Sequence, residues 1–223
     1  RPPRSTLDRS SAASDVYKRQ RLQRLLMIDT DLSTPIPNIA KGWEVSDDNT
    51  TFTFHLREGH KFSDGQPFTC RDFEFYHNDV LANTELTAAP SGTWTSGGEL
   101  VDFKCVDETT VQYKFAEAKP TFLLALASEV GNRGFRPAHY FEQMHNDYNA
   151  DANKKAEDAG YENWVQMFNA HMSPYNFTWN LGSEIDPGAP TLNTHVFDSE
   201  DDFGNKLYTA CLLYTSDAAA ERS

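Results

Sequence analysis

Six consecutive residues, Thr51 to Leu56, constrain this chain more than any other segment. Thr51, Thr53 and His55 alternate there with Phe52, Phe54 and Leu56. Successive side chains on a β-strand point to opposite faces, so this period-two pattern predicts a half-buried strand with its aromatic face inward. The Asp47-Asp48-Asn49 run before it is turn chemistry. Asp and Asn side chains bond nearby backbone groups, and Asn tolerates a left-handed backbone. Trp43 and Val45, upstream of that turn, read as the partner strand of a hairpin. Ser63-Asp64-Gly65 marks another turn.

A helix is predicted to follow. Thr69 is its N-cap, and Asp72 three residues later completes a capping-box-like pair. Phe73, Tyr76, Val80 and Leu81 recur at helical spacing and face the core, with Asn83 as terminator. Thr84 to Gly98, rich in Thr, Ser, Pro and Gly, reads as a loop in which Trp94 stands alone. A second hairpin comes next: Val101, Phe103 and Cys105 alternate before the Asp107-Glu108 turn, and Val111, Tyr113 and Phe115 alternate after it. Pro120 opens a short apolar helix through Phe122, Leu123, Leu126 and Ala127. Further helices are expected from Pro137 to His145, Ala152 to Ala159 and Tyr161 to Ala170, the last two separated by Gly160. Ser173 to Asn205 carries many turn formers and little periodicity.

The two ends are related as DNA rather than as protein. The codons TCA GAT GTG TAT AAG AGA CAG encode Ser14 to Gln20. Their reverse complement, read one base in, is TGT CTC TTA TAC ACA TCT, which encodes Cys211 to Ser216. This element resembles the transposon adapter used to prepare sequencing libraries, so both ends are expected to be non-native. The expected organisation is therefore a non-native tail over 1–20, a partial binding domain over 21–210 and a second tail over 211–223. Without the tails the segment carries 14 basic and 29 acidic residues, a net charge of −15. So acidic a chain lacks the basic face that phosphate contacts require, which argues against a nucleic-acid partner. No run reaches the roughly 18 apolar residues of a membrane-spanning helix.

Ingredients for catalysis are missing from the pattern. The sequence contains no Gly-x-Ser-x-Gly elbow, no Gly-rich phosphate loop and no His-Glu-x-x-His zinc helix. His139, His145 and Asp147 could suggest a metal site, but six residues do not place two histidines on one helix face, and surface or capping roles are the simpler account. Cys70 and Cys105 could pair in an oxidising compartment. Two small buried hydrophobes are the preferred reading. The Asn49-Thr50-Thr51 and Asn176-Phe177-Thr178 triplets match the glycosylation sequon and are assigned no role.

The run AKGWEVSDDNTTFTFHLREGHKFSDG resembles the signature of extracellular solute-binding proteins of family 5. Its matching positions are Ala40, Trp43, Asp48, Phe52, Phe54, Leu56, Arg57, Gly59, Phe62, Asp64 and Gly65. Pro67-Phe68-Thr69 with Asp72-Phe73, the second hairpin, Pro120 to Ala127 and Pro137-Ala138-His139-Tyr140 extend the likeness, with Cys70 where a small Ala is usual. The resemblance implies an α/β, periplasmic-binding-protein-like fold of type II, with part of lobe 1 and its inserted domain present and the second lobe missing. It implies the capture component of an ABC importer, periplasmic or lipid-anchored outside the cell. Such a monomer takes peptides or similar small solutes to a membrane permease, without cofactor, metal or catalysis. An oligosaccharide ligand or a non-transport sensory role are the alternatives within this reading. Two sets of ligand-facing residues are expected: Ser91, Trp94 and Thr95 in the Pro/Gly-rich loop, and Glu129 to Asn132 (Glu129 and Asn132 foremost) in the turn after the short helix. For Trp94 itself, plugging a neighbouring surface is the preferred reading over stacking on a ligand.

Overall fold

A computed structural model describes residues 24–29, 31, 33–62, 64–127 and 134–172, and the backbone of 192–193. Both adapter-like tails, Cys211, Glu129, Asn132 and the Asn176 sequon lie outside the described residues.

The alternating segment forms strand β4 (Thr51–Leu56), with Phe52, Phe54 and Leu56 buried. It lies between β3 (Ala40–Val45) and β9 (Thr110–Lys114) in an antiparallel sheet of order β3-β4-β9-β8, closed at its edge by β8 (Asp102–Asp107). Trp43 pairs with Phe54 and Val45 with Phe52, the register that the alternation requires. The turn between β3 and β4 is held by Asp48. Its Oδ1 accepts from Ser46 Oγ at 2.6 Å and from the Thr50 amide at 3.1 Å. These bonds, that from Ser46 foremost, hold its carboxyl below the usual range. Asn49 takes the left-handed backbone, φ 55°.

Helix α1 (Cys70–Phe75) starts with both halves of the capping box formed. The Thr69 amide donates to Asp72 Oδ2 at 2.9 Å, and Thr69 Oγ1 accepts from the Arg71 amide at 3.3 Å. The helix then widens into a π-helical stretch, Tyr76–Leu81, ending at Ala82 rather than Asn83. The extra residue per turn brings His77 inward beside the expected Phe73, Tyr76, Val80 and Leu81, all buried. Against the sheet, Phe73 stacks on Phe103 of β8, and Cys70 is bonded to Cys105 as a disulfide. The preferred reading of two free buried hydrophobes is therefore corrected. Alternation on β8 and the N-terminal position on α1 place the two Cα atoms 5.8 Å apart, within disulfide reach.

Helix α2 (Phe122–Ala127) supplies the centre of the core. The Phe122 ring meets Phe52, Phe54, Trp94, Tyr113 and Phe115 at centroid distances between 4.8 and 6.4 Å. A ribbon of β1 (Leu26–Ile28) and β2 (Pro35–Pro37) packs on α2. Arg57, the Leu-Arg member of the signature, is buried and donates from Nε to the Asn38 carbonyl at 2.7 Å, fixing the corner between β2 and β3. Short β5 (Lys61–Phe62) pairs with β10 (Leu192–Asn193).

The remaining residues form α3 (Ala138–Phe141) with a following 3₁₀ turn, α4 (Ala152–Asp158) and α5 (Trp164–Met172). Gly160, at φ 85°, separates α4 from α5 as expected. Among the described residues no helix is long and apolar enough to cross a membrane.

Candidate functional site

The loop expected over Thr84–Gly98 contains a feature that the sequence reading missed. Strands β6 (Thr95–Ser96) and β7 (Glu99–Leu100) form a two-residue hairpin around Gly97 and Gly98, both with positive φ. A Gly-Gly pair between two short strands is the signal that could have revealed it. The hairpin draws Trp94 into the interior, where only 1% of it is exposed. Its indole stacks on Tyr113 at 5.8 Å and meets His77, Tyr76 and Phe122 edge-on. Trp94 is thus not alone. It joins the loop to the sheet.

Ser91 and Thr95 flank this anchor. Ser91 is exposed, and its carbonyl accepts from the Trp94 amide at 2.9 Å. Lys119 donates from Nζ to the carbonyls of Gly92 and Thr95. Its own amide donates to Asn49 at 2.8 Å, so the loop is tied to the β3–β4 turn of the signature.

Gly134, which follows the Glu129–Asn132 turn in sequence, packs directly on this anchor. A Cβ there would lie 3.0 Å from Trp94 Cη2 and 3.3 Å from Tyr113 Oη, and its φ of +65° also favours glycine. Of the two expected ligand-facing sets, the structure describes Ser91 to Thr95 and the packing of Gly134 against it; Glu129 to Asn132 lie outside the described residues. Arg136 lies nearby with its guanidinium 4.8 Å from the Tyr76 ring, and its amide donates to the Asp72 carbonyl at 3.0 Å.

Electrostatically this region is held neutral by burial. Both nitrogens of His77, Trp94 Nε1 and Tyr113 Oη lack hydrogen-bond partners among the described residues. Burial lowers the His77 pKa to about 3 and raises the Tyr113 phenol well above its ordinary value, with Tyr76 adding to the rise. Asp72, behind α1, accepts from the Thr69 amide and, at Oδ1, from the Ala138 amide at 3.0 Å. Burial nonetheless pushes its carboxyl up to about 7 against those bonds.

The histidines weighed as metal ligands occupy separate places. His139 Nε2 faces Asp64 Oδ2 at 2.7 Å on the surface. His145 is fully buried between the Asp79 carbonyl, 3.0 Å from its Nε2, and the Asp147 amide, which donates to Nδ1 at 3.2 Å. No cluster of three metal-ligating side chains occurs among the described residues. A half-open cavity of about 350 Å³ lies among the helices, walled by Tyr140, Lys155, Tyr161 and His171, far along the chain from the Trp94 loop.

These features define one class of protein. A signature hairpin held by structural bonds and an aromatic loop pinned at its edge describe a structural lobe. Residues 34–163 match the family model for bacterial extracellular solute-binding proteins, family 5 middle. The chain belongs to that family. It is 35% identical over 125 residues to the periplasmic alpha-galactoside-binding protein of Rhizobium meliloti strain 1021, matching 56% of this chain and 18% of that one. Among solved structures, an oligopeptide-binding protein OppA superposes with a TM-score of 0.67 and 28% identity, over 85% of this chain and 28% of the other. The periplasmic binding protein MelB of Agrobacterium fabrum C58, solved with stachyose, gives a TM-score of 0.50 and 29% identity over 69% and 22%. The chain thus spans between a sixth and a third of the length of these proteins, as part of a periplasmic-binding-protein fold.

Proposed function

We propose that the intact protein captures peptides or similar small solutes outside the cytoplasmic membrane and delivers them to an ABC permease, without performing chemistry on them. The observation that carries this reading is the family match over 34–163, coincident with a hairpin whose signature residues Asp48 and Arg57 are taken up in structural bonds. Capture in such a protein is a hinge closure in which the solute selects the closed state. Ser91 and Thr95 would offer polar groups to the solute, with Trp94 as the rigid support beneath them. Glu129 and Asn132 are proposed as further contacts to the solute.

An oligosaccharide is the second reading, favoured by the alpha-galactoside-binding relative and the stachyose-bound neighbour. Calorimetric titration of the intact gene product with a tripeptide mixture and with stachyose separates the two. Micromolar binding of the peptides alone supports the first reading, and binding of stachyose alone supports the second. Binding of neither, by a protein that unfolds cooperatively, contradicts both.

A further inference from the structure

We propose that the Cys70–Cys105 pair is a site of enzymatic disulfide formation, entered through Cys105 by a dithiol–disulfide oxidoreductase outside the cytoplasm. The two cysteines are not equivalent. Cys70 is 2% exposed beneath the first turn of α1, whereas Cys105 is half-buried on β8, the terminal strand of the sheet. The register between β8 and β9 shifts between Cys105 and Asp107, a bulge with Val106 as the extra residue. Bulges re-aim side chains at sheet edges. Here the result is an apolar side chain, 52% exposed, immediately beside the accessible cysteine. An oxidoreductase that grips an extended segment thus meets, among the described residues, the terminal strand of the sheet, one apolar handle and a half-buried cysteine in adjacent positions.

The partner cysteine is preset for ring closure. The Cys70 amide donates to the Glu108 carbonyl at 2.9 Å, tying α1 to the β8–β9 turn independently of the sulfur bond. Phe73 and Phe103, one helical turn and two strand positions away, stack at 6.4 Å across the same interface. In the first step the Cys105 thiolate attacks the oxidoreductase disulfide, forming a mixed disulfide and releasing one enzyme thiolate. In the second, the Cys70 thiolate attacks Cys105 Sγ and expels the other enzyme thiolate. Two electrons and the two thiol protons of this chain end on the enzyme, which leaves as a dithiol.

The proposal does not depend on which solute is bound. Its test uses the full chain carrying Cys211→Ser, in which these are the remaining cysteines. Exported into an oxidising compartment, this protein should yield a peptide linking residues 70 and 105. Brief treatment with reduced glutathione and acid quenching should then place the adduct on Cys105 over Cys70 by roughly tenfold or more, because exchange follows access. Free thiols at both positions after export would overturn the bond, and equal adducts or an excess on Cys70 would overturn the order of attack. Single variants give an independent reading. With Cys70→Ser, Cys105 should react with N-ethylmaleimide in the native chain. With Cys105→Ser, Cys70 should react only after urea is added, and native labelling of Cys70 at a similar rate would contradict the proposal.

Discussion

The sheet region, from Ala40 to Ala127, and the helical region, from Ala138 to Met172, are held together by different forces. In the first, five rings from β4, the Trp94 loop and the β9 segment converge on Phe122, and a disulfide ties α1 to the sheet edge. In the second, the ring cluster is smaller: Phe75, Tyr148, Trp164 and Phe168 surround His145. Its attachment to α1 runs through the buried Phe75 ring, which meets His145, Tyr148 and Phe168, and through a set of polar bonds. Arg71 donates to Glu142 Oε1 at 2.7 Å and to Tyr148 Oη at 2.9 Å, and that hydroxyl donates to Asp79 Oδ2 at 2.8 Å. Apolar burial is cumulative and hard to undo, whereas exposed charged bonds are individually weak. The sheet is thus the more densely packed scaffold, and the helical region is an attachment that shares its core through Phe75 and depends in addition on charged bonds.

The largest expected break in that contrast is Phe122→Ala. It removes the ring common to five contacts and should cost about 3–5 kcal/mol of stability, read as a lower urea midpoint with sheet and helices lost together. Cys105→Ser releases a loop closed across 35 residues of sequence separation and should cost about 3–4 kcal/mol, again as one transition. Arg71→Ala should cost only about 1 kcal/mol, since its side chain is 41% exposed. Hydrogen exchange should then quicken in 142–172 and stay unchanged in β4 and β9. Equal quickening in both regions would abolish the distinction between scaffold and attachment.

The smallest effect is on pH. Asp72, which joins the two regions through Ala138, has its folded pKa raised from 3.8 to about 7. Between those values the folded chain binds more protons than the unfolded one, so its contribution is fully present below about 4 and is lost as pH rises through 7. His60 and His77 in the sheet region have theirs lowered to about 3, principally by burial, so their contribution is present above 6.5 and is lost as pH falls toward 3. Asp72→Asn should therefore remove the fall in stability between about pH 4 and 7, so that the thermal-unfolding midpoint rises more steeply with pH across that window, and leave the slope below about pH 4 unchanged. An unchanged slope between about pH 4 and 7, with a change confined to lower pH, would contradict the assignment.

Legibility in the sequence follows the same division. Period-two alternation exposed β3, β4, β8 and β9, and the Thr69–Asp72 capping box exposed the start of α1, because these signals are local. The inward turn of His77 was not legible, since a π-helical stretch shifts the phase that helical spacing assumes. Trp94 was singled out as a ligand-facing residue, yet its burial depends on rings 19 and 28 residues downstream, Tyr113 and Phe122. The disulfide, against which the sequence favours two free cysteines, is not legible because two cysteines on separate elements carry no register of their own. In the helical region the decisive contacts, Arg71 with Glu142 and Tyr148, are more than 70 residues apart. No periodicity reports them.

The most direct test of the central claim is hydrogen exchange on the intact gene product, with and without a solute shown to bind it. The account predicts that solute slows exchange in 91–95 and in the residues leading to Gly134, while the signature strands β3 and β4 exchange alike in both states. Protection confined to 155–171, around the helical cavity, would place the solute elsewhere and contradict the account.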